Sequence, residues 1–305
     1  MESPQNKIVS LQEAVSRLVR DGDLVYLAGF THLIPFAAGH EIIRQRKRDL
    51  VLARATPDLI YDQMIAADCA RKLIFSWGGN PGVGSLRAFR RAVEAGELEI
   101  EEYTHFAMLT RLAAAAANLP FLPLRSLLGS DLPAVNPQIR TVECPYTREV
   151  LATVPALRPD VAILHAQRAD AYGNVQVWGI IGDQREAAFA AKRVIVTVEE
   201  IVDPSVIRSD PNRTAVPGTF VSAVVEEPWG AHPSYVQGYY DRDNAFYLDW
   251  NRITREPRAH QLWLREWVFG VRDRRSYVEK LGTARLNSLL TPPRLSVPVN
   301  YGTFS

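Results

Sequence analysis

The stretches "PDVAILHA" (159–166) and "KRVIVTVEEIV" (192–202) are near-continuous runs of aliphatic and β-branched residues. A strand with one wet face alternates apolar and polar residues. Runs like these suit strands buried on both faces, as in a parallel sheet covered by helices. The rest of the chain supplies the helices. "SLQEAVSRLV" (10–19) carries apolar residues at helical spacing, with Ser10 and Glu13 in a capping-box pattern. A turn and strand follow in "DGDLVYLAG" (21–29), then a helix over 36–46, a strand over 49–55, a helix over 58–67 and a strand over 71–77. Helices are predicted over 85–96, with Ser85 as N-cap, and over 104–120, where five successive alanines lose almost no side-chain entropy and Pro120 ends the run. A helix over 184–191 joins the two apolar strands, and a further strand is predicted over 219–228. From about residue 229 aromatic residues and prolines accumulate, with helices expected near 257–269 and 274–282. The pattern predicts an α/β fold: an open, mostly parallel sheet flanked by helices and joined by right-handed crossovers. A single domain over 1–305 is expected, with 229–305 as a less regular, aromatic-rich helical extension packed on it.

The 305 residues are 47% hydrophobic, enough for a sizeable core. Lys plus Arg is 35 against 34 for Asp plus Glu, so the basic excess that a general nucleic-acid binder needs is missing. The local cluster "RQRKR" (44–48) reads as a solvated helix end, where cations suit the negative pole of the dipole. Cys69 and Cys144 stand far apart and in no metal-binding spacing, so neither a disulfide framework nor a zinc site is expected. The polar start "MESPQNKIVS" does not read as a signal peptide, and no run is long enough to span a membrane. A cytoplasmic protein with no permanently bound cofactor and no metal is expected.

In open α/β sheets ligands bind beyond the carboxyl ends of the strands. Three loops there draw attention. Gly29 ends the first strand, and its N–H is expected to face a substrate oxygen, although a glycine also lets a helix dock closely. "WGGNPGVGS" (77–85) places Asn80 among four glycines before a helix. It lacks the Lys-Ser/Thr ending of a P-loop and a clean GxGxxG. "LHAQRADAYGNVQVWG" (164–179) gathers His165, Gln167, Asp170 and Asn174 behind a strand, with Asp170, Gly173 and Asn174 equally explained as turn formers. His105 opens the alanine-rich helix as either a site or a surface residue. Glu199 and Glu200 read more simply as strand-end hydrogen-bond partners than as nucleophiles. No GxSxG or HExxH is present. The residues alone therefore give an α/β protein with ligand loops and no named reaction.

These loops, in this order, resemble the alpha (A) subunit of a family I coenzyme A transferase, most closely of the glutaconate CoA-transferase type. The likeness rests on "DGDLVYLAGF" (21–30), "LPFLP" (119–123), "AILHAQRADAYGNVQVWG" (162–179), "VTVEEIV" (196–202), "PWGAHPS" (228–234), "GYYDRDNAF" (238–246) and "EWVF" (266–269). Ala28 stands where the family loop has its first glycine, Tyr26 interrupts the aliphatic strand, Ile34 stands near the later glycine, and Pro81 departs from the relatives. The resemblance implies CoA movement between an acyl-CoA and a carboxylic acid, through a glutamyl-CoA thioester formed on a B subunit. The Glu-Asn-Gly that would carry that nucleophile is absent from this sequence. By the same resemblance Gly29 and Phe30 form an oxyanion loop. Thr31, Gly79, Asn80, His105, His165, Gln167, Gly173 and Asn174 are the expected substrate-binding positions. Coenzyme A enters as substrate, and the partner is a B subunit in an A2B2 or larger assembly. Two other readings stay open: a subunit of a ring-opening acyl-CoA hydrolase of the same fold, and a scaffolding or regulatory subunit without a site.

Overall fold

The computed structural model describes residues 5–292. Among these, the strands are β1 (Leu24–Leu27), β2 (Leu50–Ala53), β3 (Ala70–Phe75), β4 (Glu99–Glu102), β5 (Phe121–Leu124), β6 (Arg140–Glu143), β7 (Val150–Pro155), β8 (Val161–Ala169), β9 (Val175–Gln176), β10 (Arg193–Ile201), β11 (Thr214–Val216) and β12 (Ala223–Glu226). The helices are α1 (Leu11–Leu18), α2 (Phe36–Arg44), α3 (Leu59–Ala66), α4 (Arg87–Glu94), α5 (His105–Ala116), α6 (Leu132–Val135), α7 (Gln184–Ala190), α8 (Pro204–Ser209), α9 (Asn244–Ile253), α10 (Pro257–Leu264), α11 (Arg274–Leu281) and α12 (Thr283–Leu289). A π-helical turn, Arg265–Phe269, continues α10.

Seven strands form the parallel body of one sheet, ordered β12, β10, β8, β1, β2, β3, β4. β9 pairs antiparallel with the end of β8, and β11 pairs antiparallel with β9. The mostly parallel sheet read from the apolar runs is present. Its strands alternate strictly between two cores. Val25, Leu27, Leu50, Leu52, Val161, Ile163 and Ile195 face the layer of α1, α2 and α3. Tyr26, Ala28, Val51, Ala53, Ala162, Leu164, Val194 and Val196 face the layer of α5 and α7. Both faces are dry, so both sets are apolar.

From Asn244 to Leu289 the aromatic extension is mostly helical, and its residues 293–305 lie outside the described residues. Phe246 and Trp250 of α9, Trp263 of α10 and Val268 join the first core. The Trp250 indole N–H donates to Asp62 on α3 (3.1 Å), tying the extension to the sheet domain. Sequence reading missed α9, α12 and a separate three-stranded antiparallel sheet ordered β5, β7, β6. β6 is exposed along its whole length and Pro123 sits in β5, so neither carries a strand pattern. Ser85 does not cap α4. The N-cap is Leu86, and the Ser85 hydroxyl accepts from Arg90 instead. The predicted N-cap of α1 is present: the Ser10 hydroxyl accepts from the Glu13 N–H at 3.1 Å.

Candidate active site at the carboxyl edge of the sheet

From β1 the chain adds strands in one direction through β2, β3 and β4. From β8 it adds them in the other through β10 and β12. The order reverses between β1 and β8, which are paired neighbours. In open α/β sheets the crevice outside such a switch point is where ligands bind. The loop after β1 lies there.

That loop is strained and heavily tied. Gly29 has φ +118°, and a Cβ there would meet the carbonyl oxygens of His32 at 2.7 Å and Leu33 at 2.9 Å. Thr31 and Leu33 also have positive φ, 56° and 57°, which is costly for side chains with a Cβ and most unusual for a β-branched one. His32 is wholly buried and braces the loop. Its Nε2 accepts from the Gln237 N–H (3.0 Å), so Nδ1 carries the proton and donates to the Ile180 carbonyl (2.8 Å). Burial pushes His32 down to about 4, keeping it neutral. Its ring stacks on Tyr235 at 4.5 Å. The Ser234 hydroxyl donates to the Thr31 carbonyl (2.8 Å), and the Leu33 N–H donates to the Tyr235 carbonyl (3.1 Å).

The Gly29 N–H, expected to face a substrate, donates inward to Asp183 Oδ1 at 2.8 Å. The Gly29 carbonyl accepts from Arg54 Nη2 at 2.6 Å. Asp183 also accepts from the Tyr26 hydroxyl, and Arg54 pairs with Asp58 at 3.5 Å. Asp183, Arg54 and Tyr26 are all buried. Sequence reading passed over Asp183, Arg54 and His32, and noted Tyr26 only as an interruption of the aliphatic strand. The available signals were a lone arginine within "LVLARA" and the Gly-Asp pair that closes "WGIIGD".

The outer rim is built from neighbouring strand ends. Phe30 is 40% exposed, and its ring meets the edge of the His105 ring at 5.9 Å. His105, the first residue of α5, is exposed, and its Nδ1 lies 2.8 Å from Ser76 Oγ, just past β3. The Ser76 hydroxyl hydrogen is committed to the Ala55 carbonyl. Hence His105 donates from Nδ1, and Nε2 looks outward past Thr56 Oγ1 at 3.5 Å. Trp77 and Ile181 are exposed beside this group.

The other expected positions turn inward. Gly79 is buried and donates its N–H to the Pro57 carbonyl. Asn80 is 1% exposed, and its Nδ2 donates to the Tyr247 carbonyl of α9 (2.7 Å). Its Oδ1 is buried with no partner among the described residues. Gln167 donates to the Trp178 carbonyl (2.9 Å) and accepts from the Trp178 N–H (3.3 Å), holding the segment after β9. His165 is bonded through Nδ1 to Thr197 (2.8 Å) and through Nε2 to Glu199 (2.7 Å). Asn174 bonds Asp170 and the Gly218 N–H, and Gly173 has φ +88°, so this trio forms a turn. Thr31 Oγ1 is buried and without a partner among the described residues. Phe30 and His105 thus meet at one rim, while His165, Gln167, Asn174 and the Asn80 Nδ2 bond within the protein.

No group of three His, Cys, Asp or Glu side chains among the described residues could hold a metal ion. No helix among them is long and apolar enough to cross a membrane.

Comparison with known proteins identifies the family. The family model described as "Coenzyme A transferase" matches residues 8–227. The chain is 53% identical over 282 residues to the A subunit of the 3-oxoadipate CoA-transferase of Pseudomonas knackmussii, covering 92% of this chain and 99% of that one. Its structure superposes on glutaconate coenzyme A-transferase from Acidaminococcus fermentans with TM-score 0.91 and 35% identity, covering 94% of this chain and 96% of that one. It is 30% identical over 286 residues to the Cholesterol ring-cleaving hydrolase IpdA subunit of Rhodococcus jostii, covering 90% of this chain and 95% of the relative. The chain belongs to the coenzyme A transferase family and corresponds to its A subunit.

Proposed function

We propose that this chain forms half of a CoA-transferase active site, completed by a B subunit that brings the attacking glutamate. One observation carries the reading: among the described residues, the carboxylates near the switch point are already engaged within the chain. Glu199 Oε1 accepts from His165 and from the Tyr240 hydroxyl (2.6 Å), and its Oε2 accepts from the Trp229 N–H (2.8 Å). Glu200 accepts from the Tyr239 hydroxyl (2.6 Å), and Asp183 holds Gly29. The exposed apolar side chains Phe30, Trp77, Phe106 and Ile181 offer a docking face for the partner.

In the proposed reaction the partner carboxylate attacks the acyl-CoA carbonyl and expels CoA thiolate, leaving a mixed anhydride. The thiolate then attacks the glutamyl carbonyl, giving a glutamyl-CoA thioester and releasing the first acid. The acceptor carboxylate reverses both steps. Each tetrahedral intermediate places negative charge on one oxygen, and the amides following Gly29 stabilise it. The acid is a short dicarboxylic acid: one carboxylate reacts, and the outward-facing imidazole edge of His105 meets the other. The names of the relatives, 3-oxoadipate and glutaconate CoA-transferase, support this choice. An assembly of two or more copies of each subunit, working in the cytoplasm, fits the same reading.

The assembled complex is expected to exchange CoA between an acyl-CoA and dicarboxylic acids. His105→Ala is expected to raise the KM of a dicarboxylate acceptor about tenfold, the loss of one partly exposed charge-assisted contact, while leaving that of butyrate unchanged. Equal KM shifts for mono- and dicarboxylates would remove His105 from substrate recognition.

A further inference from the structure

Resting on the transferase reading, we infer that Asp183 and Arg54 are positioning residues that grip Gly29 from both sides and thereby aim the Phe30 N–H into the cleft as the oxyanion donor. The geometry follows from one peptide plane. In a trans peptide the C=O and N–H point in opposite directions. The Gly29 carbonyl is drawn inward by Arg54 Nη2 at 2.6 Å, and Arg54 is 1% exposed. The N–H of the same plane belongs to Phe30, so it points away from the buried arginine.

The preceding plane is fixed as well, because the Gly29 N–H is held by Asp183 Oδ1 at 2.8 Å. Neither plane can rotate without breaking a buried bond to an ionic side chain. That explains how Gly29 keeps φ +118°.

Room beside the Phe30 amide is kept by Gly182, the residue beside Asp183. Gly182 is exposed with φ +62°, and a Cβ there would lie 3.3 Å from the Phe30 nitrogen and 2.9 Å from its Cβ. The same short segment thus supplies the carboxylate that grips the loop and the gap beside the amide.

The clamp can be tested with and without turnover. Hydrogen exchange of the free chain is expected to show the Gly29 amide protected and the Phe30 amide exchanging fast, with Asp183→Ala releasing Gly29. A protected Phe30 amide would overturn the inference. In the assembled complex, replacing Phe30 by 3-phenyllactic acid deletes this one N–H and keeps the ring. It is expected to lower kcat about 100-fold with KM within twofold, as removal of an oxyanion donor does. Asp183→Ala is expected to lower kcat between about 10- and 100-fold with KM unchanged, while Asp183→Asn, which can still accept from Gly29, retains activity. Wild-type kcat in the ester variant, or equal losses in the Ala and Asn variants matched by equal losses in melting temperature, would refute the clamp. A wild-type complex without CoA exchange would sink the transferase reading instead, and the exchange pattern at Gly29 and Phe30 would still judge the clamp.

Discussion

Gly29→Ala is expected to lower kcat of the assembled complex at least about 1,000-fold while the chain stays folded, because it displaces the whole donor loop and not one N–H. A Cβ at this position meets two backbone oxygens, at 2.7 and 2.9 Å, and backbone cannot swing aside as a long side chain can. The φ of +118° adds a conformation that L side chains rarely adopt. The loop must therefore re-form, breaking the grip of Asp183 and Arg54. The damage is local, since Gly29 lies beyond β1 and both cores are built from other residues. A stability cost of about 1–3 kcal/mol is expected, well short of unfolding. Thermal melting and CoA exchange, measured on one preparation, check both halves. Near-normal exchange would show that the loop does not touch the reacting centre.

Trp250→Ala is expected to cost about 3–5 kcal/mol, the largest stability loss of any substitution considered, and to carry activity down with it. Trp250 is 1% exposed, with ring centroids 4.7 Å from His260 and 4.9 Å from Trp263. It also holds Asp62, a carboxyl that burial pushes up to about 6 and that the Phe89 N–H and the Trp250 indole counter. Between about 4 and 6 the folded chain keeps a proton on Asp62 that the unfolded chain loses, so stability falls as pH rises through that window. Trp250→Phe keeps most of the packing and deletes the N–H. It removes support only from the ionised carboxylate, so its cost, about 1–3 kcal/mol, is expected to be larger at pH 8 than at pH 5. Denaturant melts at the two pH values measure this directly. A cost independent of pH would mean that Asp62 does not change its protonation state between the two pH values. The connection to function runs through α9, whose Tyr247 carbonyl anchors Asn80, and through Arg242, which donates to the Pro81 carbonyl at 2.8 Å.

The fold was legible where burial on two faces left its mark. β8 and β10 read as strands because their leading residues are apolar on both faces, and the reversal of strand order then put Gly29 at the switch point. His105 was legible as the first residue of a helix, and it does stand on the rim. What could not be read was direction. Asn80, Gln167 and Gly29 were each expected to offer a polar group outward, and each gives it to another part of the chain. Irregular loops lack ladder partners of their own, so their buried backbone groups recruit side-chain amides and carboxylates. A sequence shows that such groups exist and not which of them are already engaged. Asp183 and Arg54 were invisible for a related reason: each looks ordinary alone, and they meet only because the segment after β9 folds back over the end of β1. α9 was hidden because its buried residues are aromatic and follow a stretch dense in turns.

The most direct measurement concerns where the covalent intermediate forms. The complex of this chain with its B subunit would be incubated with an acyl-CoA, quenched, digested and searched by mass spectrometry for a CoA adduct. The expected result is an adduct on a glutamate of the partner and none on this chain, with no CoA exchange by this chain alone. An adduct on Glu199, Glu200 or any other carboxylate of this chain, or turnover in the absence of the partner, would contradict the division of the site between two polypeptides.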